Sequence, residues 1–289
     1  MTPIEQIGIF SKPNAEAAYQ VVPRLLHWLS ERNLRCRLDE LTAQYAGLPD
    51  GLPREHVPDG CQLIVVLGGD GTLLSAARAT GSREIPLFAV NLGSLGFLTA
   101  ITTESLFAEL QRVIAGDTKI SKRRMLHVDL VRAGEVRASY EALNDIVITK
   151  ASIARMIEVE AYVNNHFMCA YRADGLILAS PTGSTAYSLA AGGPILTPDC
   201  GVFAVTPICP HVLTNRSLVF SDSSTIAVSP RENQGEIYLT VDGQESMGLS
   251  AGDMVHIRKA EQRVLLAVLP GVSFFEVLRQ KLKWSGTAL

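Results

Sequence analysis

The chain has 289 residues, 47% hydrophobic and 19% charged, a balance that excludes intrinsic disorder and supplies a core for one large domain or two ordinary ones. Lysine plus arginine (26) against aspartate plus glutamate (29) leaves a net charge of −3, which argues against a general binder of nucleic-acid backbones. A small anion held by backbone dipoles stays open. The five cysteines are scattered without a CxxC pair, the start has no basic-then-apolar leader, and the longest aliphatic runs are strand-sized. A cytoplasmic protein is expected, with neither nucleic acid nor membrane as partner.

The first third alternates strand and helix patterns. Ile7–Phe10 reads as a short strand, followed by Ser11-Lys12-Pro13-Asn14 with helix-start chemistry. From Ala15 to Arg32, apolar residues at Ala18, Val21, Val22, Leu25, Trp28 and Leu29 form one helical face, which Pro23 should kink or start late. Arg35–Leu38 forms a second strand, 47–60 a Gly/Pro/Asp-rich loop, and Cys61–Leu67 a buried strand. A short helix over Leu73–Thr80, a strand over Pro86–Val90 and a helix over Glu104–Ala115 complete the run. Such a succession implies a parallel sheet covered on both faces. After residue 118 the rhythm turns to period two, in Leu126–Arg132, Ile157–Val163 and Ile237–Val241, with turn signals at Ala133-Gly134, Asn164-Asn165 and Asp242-Gly243. The second domain, residues 119–270, is therefore expected as an all-β sandwich beside an α/β domain of residues 1–118. Phe274–Trp284 reads as a helix within a C-terminal segment, 271–289, that packs back on the first domain.

The sharpest motif is Leu67-Gly68-Gly69-Asp70-Gly71-Thr72, directly after a buried strand. Three glycines let backbone N–H groups approach a ligand, and Thr72 is placed to cap the next helix, whose positive end suits phosphate. It is neither a Walker A loop nor GxGxxG. Asp70 is out of place there, since a carboxylate about 4 Å from a phosphate charge costs on the order of 1 to 4 kcal/mol. It needs a cation beside it or a proton to accept, although a strand-ending turn with an Asp complementing the helix dipole is the alternative.

A second loop, Pro181-Thr182-Gly183-Ser184-Thr185-Ala186-Tyr187-Ser188, runs into a short helix stopped by Gly192-Gly193-Pro194. Its hydroxyls and amides suit a polar ligand edge, and Tyr187 offers a stacking face. Asn144-Asp145 presents adjacent acceptors for vicinal ribose hydroxyls or a base edge, or a plain Asx turn. Asp174-Gly175 precedes another buried strand, and a hairpin at Asp242-Gly243 would leave Gln244 at a loop edge. Six histidines show no ligand spacing, no GxSxG elbow is present, and Lys122-Arg123-Arg124 reads as a solvated face.

Gly68–Gly71, Asn144-Asp145, Asp174-Gly175 and the Pro181–Ser188 block closely resemble the bacterial NAD kinases, and the likeness extends through Asn91–Leu98 and Pro207–His211. GGDG alone is shared with diacylglycerol and sphingosine kinase-like enzymes; the Thr-Gly-Ser-Thr-Ala-Tyr block in this order is far more specific. The resemblance implies an α/β nucleotide domain, a β-sandwich, and a dimer or tetramer. It implies transfer of phosphate from ATP, with a divalent cation (Mg²⁺ or Mn²⁺), to the 2′-hydroxyl of the adenosine ribose of NAD. Gly68, Gly69, Asp70, Gly71 and Thr72 would form the ATP phosphate loop, with Asp70 the proton acceptor and no protein ligand assigned to the metal. Asp70, Gly71, Asn144, Asp145, Arg155, Arg172, Asp174, Thr185, Ala186, Tyr187, Ser188, Leu189, Ala190 and Gln244 would contact NAD. One departure is Asp145, where many members carry Glu. A lipid or sugar kinase on the same glycine loop, and a non-catalytic NAD(P)-sensing module, are the competing readings.

Overall fold

The computed structural model describes residues 3–93, 95–150, 156–212, 214–231, 236–268, 271 and 273–284. It divides into two compact units, one of Met1–Lys122 with Val264–Leu289 and one of Arg123–Arg263.

The first unit is built on strands β1 (Gln6–Ser11), β2 (Arg35–Leu38), β3 (Leu63–Leu67), β4 (Leu87–Asn91) and the short β5 (Ile101–Thr102). Their order is β2-β1-β3-β4, with β5 beside β4, and every pairing is parallel. The chain's last strand adds one more parallel pairing, Leu266 with Leu87. All five positions of β3 and of β4 are buried, as a sheet covered on both faces requires. Helices α1 (Glu16–Ser30), α2 (Glu40–Tyr45), α3 (Asp70–Thr80) and α4 (Leu106–Ile114) alternate with the strands. Ala18, Val22, Leu25 and Leu29 of α1 meet Ile7, Ile9, Val65 and Leu67 in one core.

The strand order creates a switch point. After β1 the chain turns by way of α1 to β2 on one side, and after β3 it turns by way of α3 to β4 on the other. The carboxyl ends of β1 and β3, at Ser11 and Leu67, are therefore left with an uncovered crevice, the place where open α/β sheets bind ligands. Lys12 N–H bonds the Leu67 carbonyl (2.8 Å), fixing the two ends side by side. Arg54 braces the same corner, donating to the Ser11 carbonyl (2.9 Å), to Asp39 Oδ2 (3.1 Å) and to Ser75 Oγ (2.6 Å).

Two local expectations change and one element is added. Helix α1 runs unbroken through Pro23, because that residue lies on its exposed side while Val21, Val22 and Leu25 are buried. Helix α3 begins at Asp70 with Gly69 as N-cap; Thr72, expected as the cap, is a buried residue of the first turn. Its hydroxyl lies over the Cα of Gly68, where an added Cβ would sit 2.3 Å away, so the helix starts as soon as the strand ends. Helix α2, unread in the sequence, is capped by Asp39, whose Oδ1 accepts from Thr42 N–H at 2.8 Å.

The second unit contains two sheets formed by β6 (Lys119–Arg132), β7 (Glu135–Ala142), β8 (Asp145–Lys150), β9 (Ile157–Val163), β10 (His166–Ala173), β11 (Gly175–Ala179), β12 (Val202–Ile208), β13 (Leu218–Ser221), β14 (Ile226–Pro230), β15 (Ile237–Val241), β16 (Glu245–Leu249) and β17 (Met254–Val268). One sheet runs β13-β12-β11-β8-β15-β16, all antiparallel. The other runs β10-β9-β14-β17, with β6 against β17 and β7 at its edge. A single core takes Ile146 and Ile148 of β8, Leu176 and Leu178 of β11 and Leu239 of β15 from the first sheet, and Leu126, Val128, Val159, Ile226 and Val255 from the second. That is the expected sandwich, with alternate residues turned inward. Strands β6 and β17 carry the chain between the units.

Of Lys122-Arg123-Arg124, expected as a solvated face, Lys122 is exposed but Arg123 and Arg124 are half-buried. The cluster lies in β6, where Arg124 donates to Asp222 Oδ2 (2.9 Å) and to the Asp199 carbonyl (2.7 Å). Burial pushes the Arg123 guanidinium down to about 10, against the pull of Asp199.

A proline in a helix interior removes a backbone donor and crowds the preceding turn. Replacing exposed Pro23 by alanine is expected to stabilise the protein by about 1–3 kcal/mol in denaturant unfolding; no gain would mean that α1 adapts to the ring without strain.

Candidate active site

At the switch point a pocket of about 330 Å³ is lined by Lys12, Asn14, Ala15, Glu16, Ala17, Gly69, Asn91, Leu92 and Gly93. The glycines here answer to different constraints. Gly68 has no room for a Cβ, whereas at Gly69 and Gly71 an added Cβ would meet nothing within 4 Å. Their φ values are not left-handed, so neither packing nor backbone strain demands glycine there. The missing side chains at a helix start leave room for a phosphate to approach closely.

Asp70, the first residue of α3, does not use its carboxylate on its own helix. Oδ2 accepts from Phe97 N–H (2.9 Å), and Oδ1 accepts from Leu98 N–H (3.1 Å) and from the Thr99 hydroxyl (3.2 Å). Asp70 lies in the first turn of α3, as the dipole-complementing alternative expects, and its side-chain hydrogen bonds run to residues 97–99 besides. The cradle depends on Gly96, where a Cβ would stand 2.1 Å from Asp70 Oδ1. Asn91 closes the loop, accepting from Gly93 N–H (2.7 Å) and donating to Thr99 Oγ1 (3.2 Å). From the C-terminal helix (Phe274–Leu282), Lys281 donates to the Leu95 carbonyl and lies 5.5 Å from the centre of the Phe97 ring.

A second pocket, of about 310 Å³, lies wholly in the other unit. Strand alternation creates it: Ile146 and Ile148 enter the sandwich core, so Asp145, Val147 and Thr149 face outward, beside Thr240 of β15. The loop of Ala186 and Tyr187 and the Asp242-Gly243 turn complete its wall. Gly183 allows the Thr-Gly-Ser-Thr loop to settle here, because its Cβ would be 2.0 Å from the Asn144 carbonyl oxygen. Ser180 N–H bonds that same carbonyl at 2.9 Å. After a 3₁₀ turn over Gly183–Thr185, helix α5 (Tyr187–Ala190) ends before Gly192, whose φ of +81° only glycine adopts readily.

Asp242 does more than turn a hairpin. With φ of +50° there and +64° at Gly243, the two residues form the expected tight turn. The Asp242 carboxylate meanwhile accepts three consecutive backbone N–H groups, from Leu143 (2.9 Å), Asn144 (2.7 Å) and Asp145 (3.1 Å). Burial pushes the Asp145 carboxyl up to about 7; the charge of Asp242 adds to the rise and a hydrogen bond from the Tyr187 backbone opposes it. Asp145 is 5% exposed.

The sequence-derived candidates therefore separate. Gly68–Thr72 sit together at the switch point. Asn144, Asp145, Ala186 and Tyr187 line the second pocket, and Thr185, Ser188, Leu189 and Ala190 share the Ala186–Tyr187 segment. Ser188 is fully buried, its hydroxyl 3.2 Å from that of Thr206, and Gln244 follows the turn on an exposed edge. Arg172 and Asp174 are not among the lining residues: Asp174 is bonded by Lys150 Nζ (2.6 Å), and Arg172 stands 3.9 Å from Glu158. Arg155 lies outside the described residues. Asp242, Thr149 and Thr240 line the pocket without having been expected as site residues. The period-two pattern through Asp145, Val147 and Thr149 was the signal available for one of them.

Two family models match the chain: the ATP-NAD kinase N-terminal domain over residues 7–118 and the ATP-NAD kinase C-terminal domain over residues 143–269. The chain belongs to the ATP-NAD kinase family. Its relatives include the NAD kinase of Solibacter usitatus, 53% identical across 97% of this chain and 98% of that one. The NAD kinase of Geobacter sulfurreducens is 45% identical across 97% and 99% of the two chains. Among solved structures, yeast NADH kinase complexed with NADH superposes with a TM-score of 0.91 at 24% identity, covering 100% of this chain and 90% of that one. An NAD kinase from Archaeoglobus fulgidus in complex with ATP gives 0.77 at 24% identity, covering 97% and 100%. At that identity they establish the family's fold for this chain.

The Asp145 carboxyl has a pH consequence. Its folded value of about 7 lies above the ordinary 3.8, so the protonated form is the stabilised one. The contribution is fully present below about pH 3.8 and is lost as pH rises through 7. Asp145→Asn, which cannot titrate, should gain about 2–3 kcal/mol on the parent between pH 5 and pH 8 in denaturant unfolding. Parallel stability profiles would show that this carboxyl is not held up.

Proposed function

We propose that the chain is an ATP-dependent NAD kinase that phosphorylates the 2′-hydroxyl of the adenosine ribose of NAD to give NADP. The observation that carries this reading is the acidic side chain inside the glycine loop. Asp70 is held by three donors from residues 97–99 and stands at the first turn of α3, beside open backbone at Gly69 and Gly71. A carboxylate among phosphates carries a Coulombic cost that a proton-accepting role would explain.

Each group then has a task. The Gly68–Thr72 loop and the α3 N-terminus receive the ATP phosphates, with the Gly68 N–H committed to the Val90 carbonyl (2.8 Å) and the Thr72 N–H to the Gly69 carbonyl (3.0 Å). Asn144 and Asp145 receive the ribose, and the Tyr187 ring, 46% exposed, offers a face to the base. The ribose O2′ forms a bond to the γ-phosphorus as the bond from that phosphorus to the β,γ-bridging oxygen breaks. The electron pair leaves on ADP, and Asp70 takes the hydroxyl proton. With a loose transition state, positioning and charge stabilisation supply most of the acceleration.

A divalent cation, Mg²⁺ or Mn²⁺, belongs to this reading as the neutraliser of phosphate charge. Such hard ions take oxygen ligands, which the triphosphate supplies itself. Among the described residues no three His, Cys, Asp or Glu side chains are grouped to hold one. Self-association as a dimer or tetramer fits the edge strand β13, where Leu218 and Val219 are 39% and 47% exposed. A reducing, cytoplasmic setting fits the five free cysteines. No helix among the described residues is long and apolar enough to cross a membrane.

The decisive assay supplies ATP, Mg²⁺ and NAD and quantifies NADP with an NADP-specific dehydrogenase. Asp70→Ala should lower kcat by roughly 10²- to 10⁴-fold while NAD still binds; near-parental turnover would remove Asp70 from the chemistry and favour a sensing module. An ionised Asp145 accepts ribose hydroxyls, so NAD should bind about tenfold more tightly at pH 8 than at pH 6. Asp145→Asn should flatten that dependence in calorimetric titration, and a dependence that survives would place the titrating group elsewhere.

A further inference from the structure

We infer that Thr99 is a positioning residue for the proton acceptor, its hydroxyl aimed at Asp70 by the Asn91 carboxamide, and that Asp70 Oδ2 is the oxygen left to take the proton. The inference rests on the reading of Asp70 as acceptor.

Donor chemistry fixes the direction of every bond in the chain. Gly93 N–H can only donate, so the Asn91 atom 2.7 Å from it is the carbonyl oxygen, and the amide orientation is settled. The other arm, Nδ2, can only donate, and it meets Thr99 Oγ1 at 3.2 Å. Thr99 thus accepts from Asn91 and has its single proton left for Asp70 Oδ1, 3.2 Å away. Thr99 is 0% exposed and Asn91 6%, so water does not compete for either side chain.

The consequence falls on the carboxylate. Oδ1 accepts twice, from Leu98 N–H and the Thr99 hydroxyl, whereas Oδ2 accepts once among the described residues, from Phe97 N–H. The last torsion of an aspartate is soft and nearly two-fold, and the two N–H groups, one on each oxygen, leave the oxygens alike in donor count. The hydroxyl reaches it from a third residue and fixes which oxygen is saturated. Gly96 belongs to the same device, since any Cβ there would also fall 2.3 Å from Thr99 Oγ1.

Initial rates of NADP formation on the full chain, at varied NAD and ATP, test this. Thr99→Val should lower kcat by about 10- to 100-fold with both KM values within about twofold, the signature of a misplaced reacting group. Thr99→Ser, which keeps the hydroxyl, should return kcat to within about threefold of the parent. A purely structural role would give no such split and no such rescue. Parental kcat in Thr99→Val, or equal loss in Thr99→Ser, overturns the inference while NAD kinase activity stands. A parent chain that makes no NADP overturns the reading beneath it and the inference together. If Thr99→Val does not fold, near-isosteric Asn91→Asp asks the same question: a carboxylate there draws the hydroxyl proton away from Asp70, so kcat at saturating substrates should fall, and an unchanged kcat overturns the proposal.

Discussion

Carboxylates gripping backbone N–H groups organise both pockets. In the α/β unit, Asp70 draws the 97–99 segment onto the first turn of α3. In the β unit, Asp242 gathers three successive N–H groups of the segment that carries Asn144 and Asp145. Hydrogen bonds to a charged acceptor are roughly twice as strong as neutral ones, and leaving such donors buried and unmade costs about 1–3 kcal/mol each. Loops tied in this way keep their shape without a ligand, which is what a site relying on positioning requires.

The two carboxylates have different neighbourhoods. Asp242 spends its oxygens on one turn and so becomes scaffold, yet its charge helps to hold Asp145 protonated up to about neutral pH. Asp70 is bonded from one flank while its helix turn faces open backbone. One acidic group ties a hairpin to the segment beside it, and the other ties a loop to the start of a helix. Each carboxylate accepts three hydrogen bonds and each residue is half-buried; what differs is the surroundings, a glycine loop for Asp70 and a hairpin turn for Asp242.

Much of this was legible in the sequence. Continuous aliphatic runs at Leu63–Leu67 and Leu87–Val90 announced the buried parallel strands, and alternation at Ile157–Val163 and Ile237–Val241 announced the sandwich. Gly68–Gly71 and the Thr-Gly-Ser-Thr loop named the two pockets, because glycine and hydroxyl density depart from what a plain turn needs. Long-range partners were not legible. Nothing local to Asp242-Gly243 reveals that its carboxylate reaches residues 143–145, about a hundred positions earlier, and Lys150 meets Asp174 only because β8 and β11 pair. Pro23 misled for a related reason: a helix tolerates it when the affected turn faces outward, and burial is a property of the fold. Lys122-Arg123-Arg124 looked solvated until β6 proved long enough to carry it beside Asp199 and Asp222.

The α/β unit is discontinuous, with Val264–Leu289 supplying the strand end beside β4 and the helix whose Lys281 grips the Leu95 carbonyl. During synthesis the ribosome delivers Asp70 and its cradle early, but the pieces that finish their surroundings emerge last. A polypeptide stopped anywhere before residue 264 would carry the full glycine loop on an incomplete sheet. The order of translation thereby withholds the finished corner around the glycine loop until the entire β sandwich has been made.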